Sequence, residues 1–170
     1  MKKIIVVLVI ALTTVACQNS KTGYVNTEEL LTEYSELKEA KERFTQENES
    51  IQGELQLKIQ AFEIKGKQYQ TNAASMSREA QEEKYNELAL EQQQLQNEQR
   101  TRVGELQVKS QTVIDSLIKK VKNKVKDYGK TNGYDFIYGS NDAGSVLYGK
   151  EELDLTDTIL KELNAEVGKE

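Results

Sequence analysis

The sequence predicts a mainly α fold with a small β component, an α+β chain built as one long antiparallel helical hairpin that leaves a compact body and returns to it. Three observations carry this. Proline occurs nowhere in the 170 residues, so the stretch from Asn26 to Tyr128 is free of the strongest helix breaker. Apolar residues there recur with mirrored spacing: Leu37, Phe44, Leu55 and Phe62 step by 7, 11 and 7, and so do Leu88, Leu95, Leu106 and Val113. Taken from the outside inward, each pair of these numbers sums to 150. A residue before the tip of an antiparallel hairpin must meet one equally far beyond it. Third, short segments of strand-forming residues flank the helical region on both sides.

Composition sets the scale of the core. With 37% hydrophobic and 30% charged residues, and no Trp, Pro or His, the chain has enough apolar surface for helical seams and one compact knot, not for a large globule. High charge can also mean disorder, but the regular 3/4 spacing of Leu, Phe, Ile and Val argues for solvated helices.

Residues 1–16 read as an export signal. Lys2 and Lys3 precede an apolar run over residues 4–12, too short to cross a bilayer as a helix, which takes about 20 residues. The sole cysteine, Cys17, directly follows Ala16, and the preceding Thr14-Val15-Ala16 resembles a lipobox with Thr in place of the usual Leu. Lipidation explains a lone exported thiol; the alternative is an ordinary secretory signal with an incidental cysteine. Residues 17–22 form a lipidated Cys and short linker. Removing residues 1–16 takes away two lysines and leaves 21 basic against 28 acidic side chains, a formal −7, which argues against general nucleic-acid binding.

The elements follow in order. Residues 23–26 are a brief strand, and Asn26 with Glu29 fits a capping box. One helix then carries Leu30, Tyr34, Leu37, Phe44, Ile51, Leu55, Ile59, Phe62 and Tyr69. Its tip lies near residues 70–77, with Ser77 capping the return. The returning helix has only Leu88 and Leu95 in its seam between Asn86 and Arg102, with Gln92 and Gln99 between them. From Leu106 it broadens through Val113, Ile114, Leu117, Ile118, Val121 and Val125. The base is therefore the core and the tip is loosely held. Gly129 and Gly133 end the helix. Residues 134–138 and 145–148 are predicted to pair as a β-hairpin about a turn at 141–144, and residues 154–163 to form a short capped helix. The domain reading is thus a hairpin over 27–128 and a β body from 23–26 with 129–170.

Candidate binding residues are few. Lys119, Lys120, Lys122, Lys124, Lys126 and Lys130 form the one basic cluster, with Asp127 as its only acid. It suits acidic clients or anionic lipid heads, while its bland reading is a solvated face that complements a helix C-terminus. Met76 near the tip is a candidate soft contact. Catalysis is excluded on chemistry: the chain lacks His, its only thiol is the lipid site, and no Gly-rich phosphate loop occurs. Carboxylates such as Glu82, Glu83 and Glu87 sit on a polar helix. No cofactor or metal site is expected.

The segments 23–31, Gly-Tyr-Val-Asn-Thr-Glu-Glu-Leu-Leu, and 133–138, Gly-Tyr-Asp-Phe-Ile-Tyr, lie on either side of the hairpin. They are followed by Ser-Val-Leu-Tyr at 145–148 and Leu-Asp-Leu-Thr-Asp-Thr-Ile-Leu at 153–160. In this order they resemble the Skp/OmpH family of periplasmic chaperones. The resemblance implies a homotrimer in which strands of three chains form a small body and three hairpins project as tentacles, a jellyfish-like assembly. Tyr24, Val25, Phe136, Tyr138, Val146 and Tyr148 would then be buried between subunits. It further implies an ATP-independent holdase for unfolded outer-membrane proteins in a Gram-negative periplasm. Members of the family are commonly basic and soluble, whereas this chain is acidic and carries a lipoprotein-like signal. The competing reading, from composition, is a membrane-anchored coiled-coil scaffold lipoprotein.

Overall fold

The computed structural model describes residues 20–141, 144 and 146–167. The signal segment, Cys17, and Asp142, Ala143 and Ser145 of the expected turn and second strand lie outside the described residues. Two compact units result, one from residues 20–34 with 120–167 and one from Ser35–Lys119.

In the first unit, strand β1 (Thr22–Asn26) pairs in parallel with β2 (Phe136–Ser140), Thr22 opposite Phe136 and Asn26 opposite Ser140. Parallel neighbours need a long connection, and more than a hundred residues separate these two strands. Helix α1 (Thr27–Glu33) starts where the Asn26 side chain accepts the Glu28 and Glu29 N–H groups, each at 3.1 Å. The Asn26 half of the expected capping box is therefore present, whereas the Asn26 N–H goes to the Thr156 hydroxyl and not to Glu29. The continuous first helix is not: Tyr34 is extended (φ −66°, ψ 113°) and a new helix begins at Ser35. Thr32, whose hydroxyl donates back to the Glu28 carbonyl at 3.0 Å, and Ser35 flank the break, and both residue types weaken helix continuity. Full burial of Tyr34 and near-full burial of Leu30 outweigh what remains of it.

Helix α4 (Thr156–Glu166) completes this unit. The Asp154 carboxylate accepts the Thr156 N–H at 2.8 Å, and the Thr156 hydroxyl accepts the Asn26 N–H at 2.8 Å. These bonds tie the start of α4 to the end of β1. Ile159 and Leu163 of α4 are fully buried, with Val25, Leu30, Val121 and Leu155 close to it.

Among the described residues the expected β-hairpin does not form. The first strand runs from Phe136 rather than residue 134, and its partner is β1. Residues 146–148 adopt no strand, and Leu147 and Tyr148 are 91% and 85% exposed. The other edge of β1 is taken instead by residues 154–155, through a bridge from Tyr24 to Asp154 and the Leu155 N–H donated to the Tyr24 carbonyl at 2.9 Å. Strand propensity marks which residues suit a sheet but not which edge they meet.

In the second unit, α2 (Ser35–Asn72) turns through one 3-10 turn at Ala73–Ser75 into α3 (Arg78–Thr131). Leu37, Ala40, Phe44, Ile51 and Leu55 are buried along α2, and Leu88, Leu106 and Leu117 along α3. Beyond Leu55 no residue of α2 is buried, and Phe62, Tyr69 and Leu95 are half-buried. The seam is therefore dry near the base and open toward the tip, as the spacing predicts. At the tip the Ser77 hydroxyl accepts the Ala80 N–H at 3.2 Å, and the Gln81 side-chain amide donates to the carbonyls of Ala73 and Met76.

Helix α3 ends at Gly133, whose φ of +68° is the left-handed conformation that terminates helices, and the Tyr134 N–H bonds the Gly129 carbonyl at 2.9 Å. Gly129 does not end the helix. It lies inside α3, where an added Cβ would sit 3.2 Å from Ile137 Cδ1, so its role is to let β2 approach.

Candidate functional site

The seam between α2 and α3 is flanked by charges in one register. Glu47 meets Lys109 at 3.0 Å, Glu54 meets Arg102 at 2.7 Å, Lys58 meets Glu98 at 2.5 Å and Lys65 meets Glu91 at 2.6 Å. The numbers of every pair sum to 156. The signs reverse midway: α2 is acidic at Glu47 and Glu54 and basic at Lys58 and Lys65. Arg102 holds the Glu54 carboxyl below its ordinary value, first through their hydrogen bond and then through its charge. The ladder was legible in the sequence as complementary charges at mirrored positions, a signal that the apolar pattern alone does not carry.

Large apolar side chains remain outside the seam. Leu57 and Ile64 on α2, and Tyr85, Leu90 and Val108 on α3, are all more than half exposed. Leu57 and Ile64 are seven apart and share a face; Leu90 and Val108 are eighteen apart, about five turns, and share another. Sequence reasoning missed these residues because they fall off the seam period. Elsewhere the seam itself opens into grooves. One of about 540 Å3 is lined by Phe44, Val103, Leu106 and Ile114 among others, and one of about 250 Å3 by Leu55, Ile59, Phe62 and Leu95. Met76 is half-buried rather than displayed, and its carbonyl is engaged by Gln81.

The basic cluster divides. Lys119, Lys122, Lys126 and Lys130 are exposed, whereas Lys120 and Lys124 are half-buried. Lys124 pairs with Glu166 and, at 3.7 Å, with Glu162 of α4, and the Glu166 bond raises its pKa despite partial burial. Lys124 is thus a structural tie between α3 and α4.

The residues expected to meet other subunits also divide. Val25 is buried by its own chain, so a partner has nothing to cover there. Tyr24 and Val146 are half-buried. The Tyr24 phenol is raised above 10.0, by burial first and then by the Asp154 carboxylate. Phe136 and Tyr138 alternate onto one face of β2, stack at 5.8 Å, and are 58% and 49% exposed. Among the described residues β2 has β1 on one edge and no strand on the other. An aromatic pair beside an unpaired edge is the kind of surface that proteins cover.

No helix of the described residues is long and apolar enough to cross a membrane. A family model described as outer membrane protein (OmpH-like) matches residues 21–163. Among solved structures, the chain is similar to an OmpH-like protein from Caulobacter crescentus CB15, with a TM-score of 0.77 and 12% identity over 89% of this chain and 88% of that one. At that identity the likeness is one of fold. A search of curated proteins finds no matching sequence.

Proposed function

Because this chain belongs to the OmpH-like outer membrane protein family, we propose that it is an ATP-independent holdase chaperone of the Gram-negative periplasm. Its clients are unfolded outer-membrane proteins, and it works as a homotrimer tethered to a membrane through lipid on Cys17. One observation carries the holdase reading: two helices of 38 and 54 residues keep large apolar side chains off their seam, at Leu57, Ile64, Leu90 and Val108, on otherwise charged surfaces. Scattered apolar points give many weak contacts, and repetition in three copies raises their joint strength without one deep pocket. The charged surroundings keep the loaded complex from aggregating. In the trimer, Phe136, Tyr138 and Tyr148 are covered by neighbouring copies, and the hairpins of the three copies enclose the client.

The test dilutes a urea-unfolded outer-membrane β-barrel protein into excess chain and follows aggregation by light scattering, then sizes the complex. The expected product is three copies with one client and little scattering. The variant Leu57→Gln, Ile64→Gln, Leu90→Gln, Val108→Gln should remain trimeric but lose most of the suppression. A trimer that leaves the client to aggregate overturns the holdase, and full suppression by the quadruple variant overturns the assignment of these contacts.

A further inference from the structure

The start of the described chain is fastened to the end of α3. Ser20 Oγ and the Lys21 N–H both donate to Asp135 Oδ2, at 3.0 and 2.9 Å, and the Lys21 carbonyl accepts the Asp135 N–H at 2.8 Å. Lys21 Nζ donates to the Asn132 carbonyl at 2.8 Å and lies 4.1 Å over the Tyr134 ring. Only three residue steps separate Cys17 from Ser20, and three steps span at most about 10 Å. A lipid on Cys17 therefore keeps the C-terminal end of α3, beside Asn132 and Asp135, within a short reach of a bilayer surface.

Those turns present a cationic face. Lys122, Lys126 and Lys130 are exposed and spaced by four, so they rise along one side of α3 over about 12 Å with about 40° of drift per step. The nearby acids neutralise this face only in part. Glu162 and Glu166 are taken by Lys124, and Asp135 by Ser20 and Lys21. Asp127 is exposed, about 100° around the helix from Lys126, but it stands one turn before Lys130 and offsets part of the charge at that end.

We propose that Lys122, Lys126 and Lys130 dock on an anionic phospholipid surface and orient the body against the membrane that carries the anchor. This rests on the lipidation of Cys17 proposed above. Charge complementarity and the short tether choose the occupant. Lysine is a point charge that tolerates the mobile geometry of lipid head groups, and juxtamembrane lysines gain from a negative leaflet within a screening length.

The full chain is added to sedimentable vesicles of phosphatidylglycerol with phosphatidylcholine, or of phosphatidylcholine alone, and briefly treated with an amine-acylating reagent. Flotation reads attachment, and mass spectrometry reads acylation of each lysine. The expected result is flotation with both vesicles, with Lys122, Lys126 and Lys130 acylated about fivefold more slowly on the anionic ones, in line with the attraction expected per lysine. Added salt at about 0.5 M should remove that difference. Equal acylation on both vesicles with normal flotation overturns the docking face and leaves the anchor standing. Flotation and protection with anionic vesicles only supports the face and overturns the lipid anchor. Flotation with neither overturns both.

Discussion

Arg102 Nη1 on α3 donates to Glu54 Oε2 on α2 at 2.7 Å, and Arg102 also lies 3.7 Å from Glu98, which pairs with Lys58. One guanidinium thus sits where the ladder changes sign. A slip by one heptad one way would set Lys65 against Lys84, while the other way Glu54 would meet Lys109, Lys58 would meet Glu105 and Lys65 would meet Glu98, all of opposite sign. Exposed ion pairs contribute little to stability singly; here four of them lie along a seam that has few apolar contacts toward its tip.

Charge reversal at one rung should therefore harm the hairpin, and exchange should repair it. Glu54→Lys is expected to lower the helical melting midpoint at low salt. Glu54→Lys with Arg102→Glu should recover most of the loss, and the difference should shrink at high salt. Thermal circular dichroism on the three proteins reads this. A double exchange no better than the single change would rule out this pairing as the cause of the loss.

Acid should loosen the same contact. The Glu54 carboxyl is held below its ordinary 4.5 by Arg102, so the folded chain binds that proton less readily than the unfolded chain. The stability from this group is then complete above about pH 4.5 and is lost as pH falls through the lower folded value. Melting at pH 7, 5 and 3.5 should show the loss only at the acid end. Arg102→Gln should lose less over that span than the parent chain does.

Gly53, Gly66 and Gly104 lie inside α2 and α3, and a Cβ at any of them meets nothing within 4 Å. Replacing each with Ala should stabilise the hairpin by roughly 1 kcal/mol, read as a higher urea midpoint. If the triple variant is also a poorer holdase, the glycines serve as flex points; unchanged capacity means that they are merely tolerated.

Gly149 is the opposite case. A Cβ there would stand 2.3 Å from Tyr24 Cε1, so the ring or the 146–150 segment must move. Gly149→Ala should cost about 1–3 kcal/mol, the usual penalty for overpacking. Gly149→Ala in a Tyr24→Leu background should cost less. Urea unfolding of the four chains closes the cycle, and equal costs in both backgrounds would sink the contact as the cause.

The sequence by itself determined what is periodic and local. The mirrored apolar steps, the Asn26 cap, the tip with Ser77 and the wet seam beyond Leu55 all follow from 3.6-residue geometry and from side chains that meet neighbours three or four positions away. The ladder belongs here too, since its pairing is a mirror arithmetic of charge. Tertiary structure alone decided where β2 goes, why the first helix breaks at Tyr34, and that Lys124 is tied down while Lys126 is not. Each of these depends on a partner more than thirty residues away or on the burial of one ring. Strand propensity around Phe136 does not say which edge that strand meets. In the folded chain β2 lies against β1, and Asp154 and Leu155 take the other edge of β1.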